Sequence, residues 1–146
     1  MFEASSRAIS RRSLLPTVQL TTKIGTVYAA RSRRQPRIAA VITEYRRYSH
    51  AQHILDRFLW GYGWGNRHHY PPMDLVSVYV DQIPQNTLIH DRLRRFPSLK
   101  KYSTIAEALT LGGNRLAVDG VILIGEHGNY PKNEKGQTLY PRYEFF

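Results

Sequence analysis

Three short stretches hold the side chains able to do chemistry. The first is Ile42-Thr43-Glu44-Tyr45-Arg46-Arg47-Tyr48-Ser49-His50, the second Asp81-Gln82, the third Gly125-Glu126-His127. Arg46 and Arg47 present planar forks suited to phosphate or carboxylate. Ser49 stands where a helix would begin, and the free N–H groups and dipole of that end favour an anion. Ser49 is equally explained as a plain cap, and the arginine pair as a solvated one. Asp81 and Gln82 stand where the second strand delivers side chains to the same cleft. Glu126 and His127 offer an acid–base pair in which the carboxylate orients the imidazole. The competing reading of that stretch is a turn, since Gly125, Gly128, Asn129 and Pro131 are turn formers. The candidate ligand residues are therefore Thr43, Glu44, Tyr45, Arg46, Ser49, Asp81, Gln82, Gly125 and Glu126. His127 is the one candidate for catalysis.

A metal is a further option for the same residues. His50 and His53 lie three apart, on one helical face, and Glu44, Asp81, Glu126 and His127 could converge on them. His-x-x-His is common without a metal, so none is assigned. His68-His69 falls in a connection and reads as solvent-facing. No arrangement of Ser, His and Asp supports a covalent nucleophile. The chain has no cysteine, which excludes disulfides and thiolate sites.

The elements that must position these residues follow from periodicity. "RIAAVITEY" (37–45) is an unbroken, β-branched apolar run, the pattern of a strand buried on both faces. Ser49 and Gln52 have capping-box spacing, and Ala51, Ile54, Leu55, Phe58 and Leu59 then repeat at helical intervals. Gly61 and Gly63 close that helix. "GYGWGNRHHYPPM" (61–73) reads as a packed aromatic connection. Its G-x-G spacing follows a helix and precedes a strand, the reverse of a dinucleotide loop. "DLVSVYVDQ" (74–82) is a second strand. Leu88, Ile89, Leu93 and Phe96 mark a short helix, and "KKYS" a brief strand. Thr104 and Glu107 open a helix stopped by Gly112 and Gly113, and "VDGVILIG" (118–125) is the fourth strand. Strands alternating with helices predict an α/β fold, a doubly wound, Rossmann-like parallel sheet of about four strands with helices on both faces. In such sheets ligands bind beyond the carboxyl ends of the strands, where all three chemical stretches fall.

Charge divides the chain. The 146 residues carry a net +10, with eight Lys/Arg against one acid in residues 1–37 and thirteen against ten in residues 38–146. The basic cluster Arg92, Arg94, Arg95, Lys100 and Lys101 lacks interleaved stacking aromatics, so no nucleic-acid partner is expected. No apolar run is long enough for a membrane-spanning helix. Residues 1–36 read as a targeting leader or a disordered basic tail. Ser10-Arg11-Arg12-Ser13-Leu14-Leu15 is similar to the twin-arginine export motif and implies a periplasmic or otherwise exported protein; an organellar transit peptide and a cytoplasmic protein with a plain tail are the alternatives. The folded domain then spans 37–131, with 132–146 a C-terminal loop or tail.

The order "RIAAVITEY", "LVSVYVDQIPQN", "KKYSTIAEAL", "VDGVILIGEHGNYP" resembles the N-terminal domain of the glucose–fructose oxidoreductase and inositol dehydrogenase family (Gfo/Idh/MocA). The likeness covers residues 37–131. It implies a cofactor domain of an NAD(P)-dependent sugar or polyol oxidoreductase, with Asp81 at the adenosine ribose and the 43–50 loop facing the pyrophosphate. Tyr102, Thr104, Glu107 and Leu109 match the family's third strand and helix, and Gly125 to Asn129 its fourth loop. Thr43 to Tyr48 stand where the family has its glycine-rich turn. Glu134-Lys135-Gly136 stands in a polar loop and does not reproduce the family's catalytic lysine motif. The larger substrate domain, through which such proteins could form homo-oligomers, is missing, so the chain reads as a truncated frame that should not turn over alone. A non-enzymatic α/β module binding a small polar or anionic ligand in the same cleft is the alternative.

Overall fold

The computed structural model describes residues 34–146; the leader expectation falls mostly on residues 1–33, outside the described residues. Nine elements follow in order: β1 (Arg37–Ile42), α1 (His50–Trp60), β2 (Tyr62–Trp64), β3 (Arg67–His69), β4 (Asp74–Val80), α2 (Ile89–Arg95), β5 (Lys100–Tyr102), α3 (Ile105–Thr110) and β6 (Gly120–Ile124). Four of the strands form one sheet in the order β5-β4-β1-β6, and every pairing in it is parallel. This is the expected Rossmann-like α/β sheet.

The central strand explains why the pattern is unalternating. β1 has β4 on one side and β6 on the other, and both faces of the sheet are covered. Ile38, Ala40 and Ile42 enter a core with Leu75, Val78, Val80, Ile124, Ala51 and Leu55 of α1 and Ile89 of α2. On the opposite face Ser77, fully buried, donates its hydroxyl to the Ala108 carbonyl of α3 at 2.7 Å. An unmade bond there would cost about 1–3 kcal/mol, so the polar residue in the strand is matched to α3.

The starts of α1 and α3 obey the caps expected of them, with one difference. Thr104 and Glu107 form a full capping box at α3. At α1 the Ser49 hydroxyl accepts from the Gln52 N–H at 3.2 Å, but Gln52 Oε1 reaches back to the Tyr48 N–H at 2.6 Å rather than to that of Ser49. The Ser49 N–H is taken by the Arg46 carbonyl at 3.2 Å, which closes the turn early.

The connection 61–73 departs from expectation. β2 and β3 form an antiparallel hairpin pairing Tyr62 with His69 and Trp64 with Arg67. Its two turn residues, Gly65 and Asn66, hold φ of 55° and 62°, the positive values a two-residue hairpin turn requires. Trp64, expected to pack, is 77% exposed. β1 stops at Ile42 and β4 at Val80, where their apolar runs end, and the polar residues that closed the stretches 37–45 and 74–82 turn into the loops.

Candidate functional site

Parallel pairing puts the carboxyl ends of β1, β4 and β6 side by side. The Thr43 N–H donates to the Ile124 carbonyl at 3.2 Å, and the Gln82 N–H to the Thr43 carbonyl at 2.7 Å. The Thr43 hydroxyl, fully buried, donates to the Glu126 carbonyl at 2.5 Å. The three stretches singled out in the sequence thus share one mouth.

The β1–α1 loop is held by the start of α2. The Tyr45 carbonyl accepts from the Leu88 N–H at 2.7 Å and from the Thr87 hydroxyl at 3.2 Å. The Tyr45 ring turns inward and is fully buried, its hydroxyl donating to Asp56 Oδ1 at 2.6 Å. Arg92 clamps the same carboxylate through Nε and Nη2, at 3.0 and 2.6 Å, and its guanidinium lies 4.5 Å from the Trp60 ring centroid. Burial, reinforced by Asp56, pushes the Tyr45 hydroxyl far above the ordinary tyrosine range. Tyr45 therefore anchors the loop from within, while its neighbours face the mouth.

Glu44 and Arg46 form an ion pair in which the carboxylate side chain is 7% exposed and the guanidinium 33%. Arg46 Nη2 also lies 3.5 Å from His127 Nδ1. The His127 ring stacks on that of His50, with centroids 4.8 Å apart, so α1 and the loop after β6 meet over the arginine. Ser49 is fully buried beneath them, and its hydroxyl donates to the Arg46 carbonyl at 2.8 Å.

The loop after β6 crosses the mouth toward β4. The Gln82 side chain clasps the backbone of Asn129, accepting its N–H at 2.8 Å and donating to its carbonyl at 3.2 Å. Asp81 accepts from the Tyr79 hydroxyl at 2.9 Å and from the Tyr130 hydroxyl at 2.7 Å. Burial, then Asp81, raises the Tyr130 hydroxyl well above its ordinary range. Glu126 is paired with Arg142, whose Nε donates to the Gly125 carbonyl at 3.0 Å. His50, Ile54, Leu123, Ile124, Gly125, Glu126 and Arg142 line a cavity of about 310 Å³ beside β6.

Backbone strain concentrates here as well. Four non-glycine residues among those described hold positive φ. Asn66 is in a hairpin turn and Leu111 ends α3, where that conformation is usual. The other two, Tyr48 at 63° and His127 at 69°, lie in the loops that meet at the mouth. Such residues cost on the order of 1–3 kcal/mol each and gather at ligand-binding loops.

The structure brings Thr43, Glu44, Arg46, Ser49, His50 and His127 together at one side of the mouth, and Asp81 with Gln82 at the other, spanned by residues 125–130. It sends Tyr45 inward. Sequence reasoning missed Tyr130 and Arg142, which occupy Asp81 and Glu126; neither has a local signal, since each acts across the fold. Among the described residues, no group of three or more His, Asp or Glu side chains is placed to hold a metal ion. The first loop does not fit a dinucleotide pyrophosphate as it stands. Close approach of a pyrophosphate to the backbone needs glycines, and residues 43–49 carry a side chain at every position, one of them a carboxylate. No family model matches this chain, and no curated protein or solved structure shows significant similarity to it.

Proposed function

We propose that this domain binds a small, anionic, polyhydroxylated ligand at the carboxyl ends of its parallel strands. The observation that supports it best is the meeting of Arg46 and His50, from the stretch that joins β1 to α1, with His127 of the loop after β6, around a guanidinium that is a third exposed. In this reading Arg46 and the start of α1 take the anionic group, and the two histidines flank it. Asp81, exposed just past β4, takes hydroxyls. A sugar phosphate or sugar acid has both parts.

The test is calorimetric titration of the full chain with glucose 6-phosphate, inorganic phosphate and glucose. Saturable binding is expected for the sugar phosphate, weaker for phosphate and weakest for glucose, with Arg46→Ala costing about tenfold or more, as loss of a charge-assisted bond should. No heat from any of the three at millimolar concentration removes the proposal.

A second reading keeps the resemblance to the NAD(P)-dependent oxidoreductases. It is favoured by Asp81, which directly follows the strand beside β1, where a ribose-binding acid stands in such domains. The pyrophosphate would then lie off the β1 loop. Titration with NADH and NADPH, followed by the nicotinamide's own fluorescence, separates the two. Trp60 and Trp64 are poor reporters, because α1 carries them to the far end of the sheet.

A further inference from the structure

The opposite end of the sheet holds a surface that the mouth does not use. The β2–β3 hairpin stands out from the connection between α1 and β4. Tyr62, Trp64, Arg67 and His69 share one of its faces, since cross-strand partners point the same way. The Tyr62 and His69 rings stack with centroids 5.6 Å apart. Trp64 and Arg67 flank the turn, both exposed, and Tyr70 is exposed at the base. The hairpin is tied to the body: His68 Nε2 lies 2.7 Å from the Trp60 carbonyl, and Trp60 packs edge-on against Phe96. From Arg57 to Met73 there is no acidic residue.

We propose that this hairpin docks the domain on an anionic bilayer, with Trp64 in the headgroup region and Arg67 on lipid phosphates. Its charge complements such a surface, with Arg67 beside the tip and no acid in the hairpin. Trp and Tyr, apolar bodies with one polar atom, are the side chains that settle at a membrane–water boundary. The shape favours a bilayer over the other anionic partners. The tip is convex, whereas a small ligand needs a concave site. A single strand of nucleic acid needs a basic groove along several stacking rings, and the hairpin offers one arginine beside one fully presented ring. The rigid two-residue turn holds Trp64 outward before contact, so little ordering accompanies docking.

The test uses the full chain carrying Trp60→Phe, so that Trp64 is the only tryptophan. Vesicles of phosphatidylcholine and phosphatidylglycerol in equal parts are compared with pure phosphatidylcholine. The basic residues 1–37 can hold the chain to anionic vesicles by themselves, so the readout is the emission of Trp64 and its quenching by brominated lipid chains. A blue shift with quenching on the anionic vesicles is expected, and Arg67→Ala should weaken it about fivefold, the effect of one surface cation. Should Trp60→Phe fail to fold, Trp64→Ala in the otherwise native chain must abolish the lipid-dependent change in emission with circular dichroism unaltered. The proposal is overturned if the chain binds vesicles with Trp64 emission unchanged, if pure phosphatidylcholine gives an equal shift, or if only oligo(dT) moves the emission.

Discussion

Thr43 Oγ1 donates to the carbonyl of Glu126 at 2.5 Å and so fastens the end of β1 to the loop that follows β6. The bond is part-buried, and it ties the strand that leads to Arg46 to the loop that carries His127. Thr43→Val keeps the shape and leaves the carbonyl without that donor. A loss of about 1–3 kcal/mol is expected, measured by urea unfolding, together with weaker sugar-phosphate binding. Unchanged stability would mean that the carbonyl finds water instead.

Asp56 is the hub beneath the loop, accepting from both Tyr45 and Arg92. Asp56→Ala leaves Arg92 without its main partner, although Asp91 Oδ2 remains 3.1 Å away. Side-chain exposure of 10% for Arg92 and 20% for Asp56 makes the pair nearly buried, and breaking such a pair costs about 3–5 kcal/mol when desolvation is complete. The partial exposure and the spare carboxylate place the expected loss lower, at about 2–3 kcal/mol. Tyr45→Phe should cost less, about 1.5 kcal/mol, because Arg92 keeps its bidentate bond. Guanidinium melts of the two variants check the order.

How much of this was legible beforehand depended on whether the signal was local. The unalternating run at 37–42 announced a strand with neighbours on both sides, and Ser49 and Thr104 announced the helix starts they cap. Those features follow from periodicity and near-neighbour hydrogen bonds. The hairpin was legible in principle. Gly65-Asn66 between Trp64 and Arg67 is a two-residue turn between short strands, but Gly61 and Gly63 just before it masked it as a helix stop. The direction of Tyr45 was not legible. An aromatic among polar loop residues looks exposed, and only Asp56 and Arg92, distant in sequence, draw it inward. The clasp of Gln82 on Asn129 and the Tyr130–Asp81 bond have the same character.

Arg34 holds Asp119 through two bonds of 2.7 and 2.9 Å, and the Arg37 N–H adds a third at 2.7 Å. The Arg34 bond first, then that of Arg37, lowers the Asp119 carboxyl to about 2. A lowered carboxyl stabilises the fold above its unfolded value of about 4, and that contribution is lost as pH falls through the folded value. Thermal midpoints should therefore drop between about pH 4 and pH 2, less steeply in Asp119→Asn. High salt should shrink the difference, because Arg34 is largely exposed.

Gly61 ends α1 at φ 75°, and a Cβ there would stand 2.3 Å from the His69 carbonyl. Gly61→Ala should destabilise by more than the ~1 kcal/mol of left-handed strain, since the hairpin must shift. Hydrogen exchange should show faster amides in 62–69 and unchanged ones at 43–49. Uniform acceleration would mean that the hairpin is not an independent feature.

The proposed ligand site is one mouth formed by the ends of β1, β4 and β6. Amide chemical-shift mapping of the full chain titrated with glucose 6-phosphate tests it most directly. Saturable shifts are predicted at Thr43, Arg46, Ser49, Gln82 and His127, with the hairpin 62–69 silent. Shifts absent at those five residues, or confined to another face, would contradict it.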